Sequence, residues 1–342
     1  MFFIVIYHLC THGIGSDFSF DNHSLYSVIN LVFCDILLVL SSICVNLYIL
    51  ISGYFLVYTD FKFYRIIRTW FLACFYCFII TLAFFFANPG SVSTVSLIKS
   101  LFPLSTDHYW FVTQFIGMLL LSPFLGMIAR SITRPQYIFL LTALGFICLS
   151  LIPDFPLGKR FHIAHGNSVM FFTYLFFIAG FIRRFVGQLP IKYLSVFIVV
   201  MFAFMLFLTL CIGKRHLLWF DYNSIPFVLS VLVFVLFRQI KMKPFGMVKL
   251  LTNIAPYTFA VYLLHDHLLV RSWLWASLNL QSFCGEYYFP IMTVAICCLI
   301  FSIGVSLDWI RKRTFKLLGI DNLIIRADDF LCFPDENDHE KE

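Results

Sequence analysis

Charge is what this sequence has least of. Only 12% of its 342 residues are Asp, Glu, Lys or Arg, against roughly 25% in soluble domains. A globule so poor in charge would have no polar coat, and the 61% hydrophobic content and mean hydropathy of +0.90 exclude an ordinary water-soluble enzyme. There is no basic stripe either. The 24 Lys and Arg against 18 Asp and Glu give a net charge of +6, spread in short clusters between apolar runs, which excludes a nucleic-acid partner. Internal repeats, heptads and low-complexity tracts are missing. So are a Gly-rich phosphate loop, a GxSxG elbow and an HExxH helix, so those nucleophile and zinc chemistries lack their local motifs. No basic region precedes the first apolar run, from Met1 to Gly13, so it does not read as a signal peptide.

Long apolar runs are present instead, rich in the 44 Phe residues. A bilayer core needs about 20 apolar residues per helix. Spans are expected near 1–12, 36–58, 69–87, 109–129, 136–153, 168–184, 191–212, 219–237, 254–272 and 288–310. Segment 24–42 is also apolar but carries Asp35, and reads as an interfacial helix or an extension of the second span. The expected fold is therefore all-α, a polytopic transmembrane bundle of about ten spans over 1–318, followed by a short tail over 319–342. That tail is acidic from Asp328 onward and is expected to be disordered. The first run is too short to span, so the first helix is expected to be truncated and to begin upstream of Met1.

Orientation follows from the basic residues. Lys62, Arg65 and Arg68; Arg130 and Arg134; Arg183, Arg184 and Lys192; Arg238, Lys241, Lys243 and Lys249; and Arg311, Lys312, Arg313 and Lys316 alternate onto one side. That side reads as cytoplasmic, with both termini on it. Lys159, Arg160, Lys214 and Arg215 are the exceptions.

Polar groups inside spans are expensive, so they mark function. His8, with Tyr7 and His12 nearby, reads either as a hydrogen-bonded core histidine or as a base toward a hydroxyl. Arg65 and Arg68 share one helical face and suit phosphates, or serve as anchors at the membrane boundary. Ser52-Gly53-Tyr54 allows close helix approach or local unwinding. His108 and Trp110 fit an aromatic belt or a sugar-binding lip. His265 and His267 diverge on a helix and make a poor metal pair, so no metal is expected. Cys74 and Cys77, though two residues apart, read as buried apolar thiols.

These residues resemble the membrane acyltransferase-3 family. Val45 to Leu56, with Ser52-Gly53-Tyr54 at its heart, is similar to that family's Phe-Phe-x-x-Ser-Gly motif. His8 in the first span, Arg65-x-x-Arg68, Trp110-Phe111 leading to Pro123, and Thr258, Phe259, Tyr262, Leu263 and His265 follow in the family's order, over residues 1 to about 315. Tyr48 and Ile49 replace the family's Phe pair. The basic residue usually found eleven positions before the first-span His would precede Met1. No esterase-like domain follows. The resemblance implies an O-acyltransferase, most often an O-acetyltransferase, of the bacterial plasma membrane. It would use acetyl-CoA or another acyl-CoA as donor and a glycan or lipid-linked saccharide as acceptor, with no permanently bound cofactor. It implies His8 as the catalytic base or acylated residue, Arg65 and Arg68 as donor-binding, and His108, Trp110 and His265 as substrate-binding. Competing readings are a transporter or flippase, a polysaccharide polymerase and a non-catalytic scaffold. The first would need matched halves with buried charges, and the second a large Arg-rich outer loop.

Overall fold

A computed structural model describes residues 1–15, 25–88, 90, 92–106, 108–149, 166–212, 222, 225–241, 243, 245–320 and 322–323. All regular structure among them is helical. In chain order the helices are α1 (Phe2–His8), α2 (Leu25–Ser41), α3 (Cys44–Leu56), α4 (Phe63–Ala87), α5 (Thr94–Lys99), α6 (Trp110–Ser131), α7 (Arg134–Cys148), α8 (Val169–Phe185), α9 (Ile191–Ile212), α10 (Ile225–Gln239), α11 (Met247–Ile254), α12 (Thr258–His265), α13 (Leu268–Leu278) and α14 (Phe289–Leu317). A π-helical turn, Leu9–Gly13, continues α1, and short 3₁₀ turns occupy Ala255–Tyr257 and Leu280–Phe283. Lipid offers no hydrogen bonds, so apolar runs of this length satisfy their own backbones as helices.

Six stretches are long and apolar enough to cross a membrane: Leu25–Leu56, Phe63–Ala87, Trp110–Ser131, Ile191–Cys211, Met247–His265 and Phe289–Leu317. Shorter apolar helices cover Phe2–Gly13, Arg134–Cys148 and Ile225–Gln239, and α8 is mostly buried. Each of the ten expected spans thus contains a helix, although several bounds differ. The second begins at Leu25, because α2 runs into α3 through a two-residue break. There Ser41 and Ser42 hydrogen-bond back to Leu37 O and Val39 O, bending the helix without a loop. Asp35 is therefore part of an extended second span. The last helix runs on to Leu317, so Arg311, Lys312, Arg313 and Lys316 are helical. Lys159, Arg160, Lys214, Arg215 and the acidic tail lie outside the described residues.

Two glycines set the closest helix packing. A Cβ on Gly53 would lie 3.0 Å from the Phe176 Cα, and one on Gly304 3.0 Å from the Val261 Cα. Gly53 thus serves close approach of α3 to α8, and α3 stays helical through it. Pro123 inside α6 removes the N–H that would reach the Leu119 carbonyl. The Ser122 hydroxyl donates to that carbonyl at 2.7 Å instead.

Basic side chains gather at one end of the bundle and close its carbonyls. Arg184 donates to Ala129 O and Ile132 O, both at 2.7 Å, and Arg238 donates to Ile182 O and Val186 O at 3.0 and 2.8 Å. Arg130 and Arg183 reach Val57 O and Tyr54 O. These carbonyls lie at helix C-termini, where intrahelical partners run out, although Ile182 O also accepts from Val186 N at 3.3 Å. Arg65, at the start of α4, donates to Asp60 O beside the same rim.

Candidate active site

The stretch expected as one span over 254–272 is broken. Asp266 and His267 interrupt it, because His267 is extended (φ −56°, ψ 132°) and its side chain accepts from Leu269 N as the N-cap of α13. The break sends the flanking histidines to different places.

His265 goes to His8. Its Nδ1 faces the Val261 carbonyl, which can only accept, so Nδ1 carries the proton. In the neutral ring, His265 Nε2 is then a bare acceptor. It lies 2.9 Å from His8 Nδ1, so His8 Nδ1 donates and His8 Nε2 is left with its lone pair. The tautomers are assigned from this network. Asp266 Oδ1 is 3.5 Å from His8 Nδ1 and 3.4 Å from Arg271 Nη1, so a carboxylate stands where an imidazolium would need one. The His12 ring centroid is 5.2 Å from that of His8. His8, His265 and Asp266 are all buried.

Two cavities bear on this cluster, the first reached from it only through intervening rings and the second touching it through His12 and Arg271. The first, of about 410 Å³, is lined by Arg65, Arg68 and Tyr64 at its rim, and by Ser52, Tyr48, Phe115 and Phe259 deeper in. The Ser52 hydroxyl donates to Tyr48 O at 2.8 Å, and Tyr54 lies outside this wall, beneath the Arg183 guanidinium. From the cavity a run of rings leads inward. Tyr48 is 5.4 Å from Phe111, Phe111 is 5.8 Å from Tyr262, and Tyr262 is 6.3 Å from His8. The other cavity, of about 510 Å³, is lined by Thr11, His12, Arg271, Trp275, Asn279 and Gln281. The buried Trp275 Nε1 there has no hydrogen-bond partner.

His267 points the other way. Its Nε2 lies 3.7 Å from Cys77 Sγ and 3.3 Å from Thr81 Oγ1, and its ring is 5.7 Å from that of His108. Trp110 stacks on Tyr222 at 5.7 Å. The structure therefore brings His8 and His265 together, and separately Arg65, Arg68 and Ser52. It places His108, Trp110 and His265 in three different surroundings. Sequence reasoning read Cys77 as a buried apolar thiol, gave Asp266 no role, and passed over Arg271 and Trp275. A His-Asp-His at a helix end was a signal for Asp266, whereas nothing local marks Arg271 or Trp275.

A buried histidine pair and an arginine-rimmed cavity thus lie within one bundle whose described regular structure is all helical, with six stretches long and apolar enough to cross a membrane. The chain matches a family model described as an acyltransferase domain over residues 1–317, and it belongs to the membrane acyltransferase-3 family. No curated protein and no solved structure matches it.

Proposed function

We propose that this membrane acyltransferase moves a short acyl group, acetyl in the simplest case, from acyl-CoA to a hydroxyl of a surface or exported saccharide. The carrying observation is the cavity rimmed by Arg65 and Arg68, from whose wall a chain of ring contacts, Tyr48 to Phe111 to Tyr262, runs to His8. Two guanidiniums at its mouth suit the phosphates of a nucleotide-bearing thioester, and the rings between the cavity and His8 would have to part for the acyl-bearing arm to reach the histidine. The Lys and Arg bias supports a cytoplasmic position for this mouth and for both termini, and the proposed membrane is the bacterial plasma membrane. The cavity at Trp275, on the other side of the His8 cluster, takes the acceptor. Its indole N–H, Asn279, Gln281 and Arg271 suit a hydroxyl-rich ring.

In the reaction, His8 Nε2 removes the proton from the acceptor hydroxyl as that oxygen attacks the thioester carbonyl. The new C–O bond forms, the tetrahedral adduct collapses, and the C–S bond breaks. The leaving thiolate takes its proton back from the His8 imidazolium. His265 holds the His8 tautomer, and Asp266 balances the imidazolium charge. Positioned base catalysis contributes about 10²–10⁴-fold.

The test is His8→Ala, with turnover of radiolabelled acetyl-CoA by purified protein and glycan O-acetyl content in cells read by NMR. Loss of both in a stably expressed variant is expected, and unchanged acetylation would sink the assignment of His8. Absence of acetyl-CoA turnover by the unaltered protein would sink the acetyl-CoA donor and return the transporter reading.

A further inference from the structure

One cluster of chemically capable side chains takes no part in the proposed transfer. Cys77 on α4, His108 just before α6 and His267 at the cap of α13 each bring one ligand atom within 4.8 Å of the others. Cys77 and His267 are fully buried, with 0% exposure for both. We propose that Cys77, His108 and His267 form a zinc site that clasps α4, the entry of α6 and the break between α12 and α13.

The donor set and the spacing both fit. Zinc takes thiolate and imidazole ligands with Zn–S of about 2.3 Å and Zn–N of about 2.0–2.1 Å. At tetrahedral angles, those bonds hold a sulfur and a nitrogen about 3.5 Å apart. The Cys77 Sγ to His267 Nε2 distance is 3.7 Å, so that pair needs an adjustment of a few tenths of an ångström, and His108, whose ligand atom lies within 4.8 Å of both, closes by up to about an ångström. One thiolate and two neutral imidazoles leave a fourth position, which Thr81 Oγ1 borders at 3.3 Å from His267 Nε2. The Thr81 hydroxyl proton is directed at the Cys77 carbonyl, so the oxygen turns its lone pairs toward the site.

Loading redistributes protons in a defined way. The Cys77 thiol proton is released to water. His267 now accepts at Nδ1 from Leu269 N across a long 3.3 Å contact. Ligation through Nε2 moves the ring proton to Nδ1 and exchanges that contact for a metal bond. Metal affinity is accordingly linked to pH and to the stability of the fold. The site stands whether or not His8 is the base, because it shares no residue with the His8 pair.

The protein is purified in detergent without metal-affinity media, equilibrated with zinc, and passed through gel filtration. About one zinc per chain is expected by mass spectrometry, falling at least tenfold in Cys77→Ser and in His267→Ala and unchanged in Cys74→Ser. Cobalt replacement is expected to give a thiolate-to-cobalt charge-transfer band in the near ultraviolet. Equal zinc in the unaltered protein and Cys77→Ser overturns the proposal, as does a loss that follows Cys74→Ser. Should the Cys77 variant fail to fold, the cobalt spectrum of the unaltered protein decides. The band supports the site and its absence overturns it.

Discussion

Two clusters of similar composition sit on either side of Asp266. One holds His8 and His265 with the Asp266 carboxylate and the Arg271 guanidinium, and the other holds His267 and His108 with the Cys77 thiol. In the first, each ring proton has an assigned acceptor, and a single nitrogen, His8 Nε2, is left to work. A charge pair stands by to answer the charge that forms. In the second, the ligand atoms include neither a carboxylate nor a guanidinium. The difference teaches how two histidines two residues apart come to do unlike things. A helix broken between them turns one toward a hydrogen-bond relay and the other toward a thiol.

The comparison can be broken most severely at His8. His8→Ala removes the proposed base, and transfer should fall by about 10²–10⁴-fold while donor binding and zinc content stay as they were. Parallel loss of zinc would show that the clusters are one. Arg65→Ala and Arg68→Ala come next. A hydrogen bond to a charged group is worth about 1.5–3 kcal/mol, so each should lower kcat/KM for the acyl donor by about 10–100-fold, read mainly as raised KM. A fall in kcat at constant KM would place them at the chemistry instead. His265→Asn leaves the base but removes its positioning partner. It should lower kcat by about 10-fold, on the scale of one hydrogen bond that fixes a catalytic ring, with little change in donor KM. The smallest effect belongs to Trp275→Phe. It removes one donor, worth about 0.5–1.5 kcal/mol, and should raise the acceptor KM several-fold with the donor KM unmoved.

The sequence made local features legible and long-range ones not. Apolar length announced the helices, because a run such as Trp110–Ser131 satisfies its backbone in lipid only as a helix. The Arg65 and Arg68 spacing announced a shared face because three residues nearly complete a turn. That Ser52 joins them at one cavity comes from the fold and not from the sequence, which read Ser52 only as part of a packing motif. The pairing of His8 with His265 depends on α1 and α12 meeting across most of the chain, which no periodicity encodes. Cys77 illustrates the same limit. Within α4 it is one more small apolar side chain, and only the return of the chain at His267 gives it a partner. The break at Asp266–His267 was hidden for another reason. The leucines and valines around it keep the helical apolar pattern going through residues whose backbone has left the helix.

The arginines at the rim carry a consequence for how the chain is made. Arg184 and Arg238 each bridge two carbonyls with one guanidinium. During insertion only their charge is counted, and lysine would be counted equally. Once assembled, the guanidinium's geometry closes the helix ends: Arg184 Nη1 spans two carbonyls, and Arg238 spans two with Nη1 and reaches Gly187 O with Nη2, a two-nitrogen grip that lysine lacks. Arg-to-Lys exchange at these positions therefore separates biogenesis from architecture. It would give a chain that enters the bilayer the right way round and then frays at the rim beside Arg65 and Arg68.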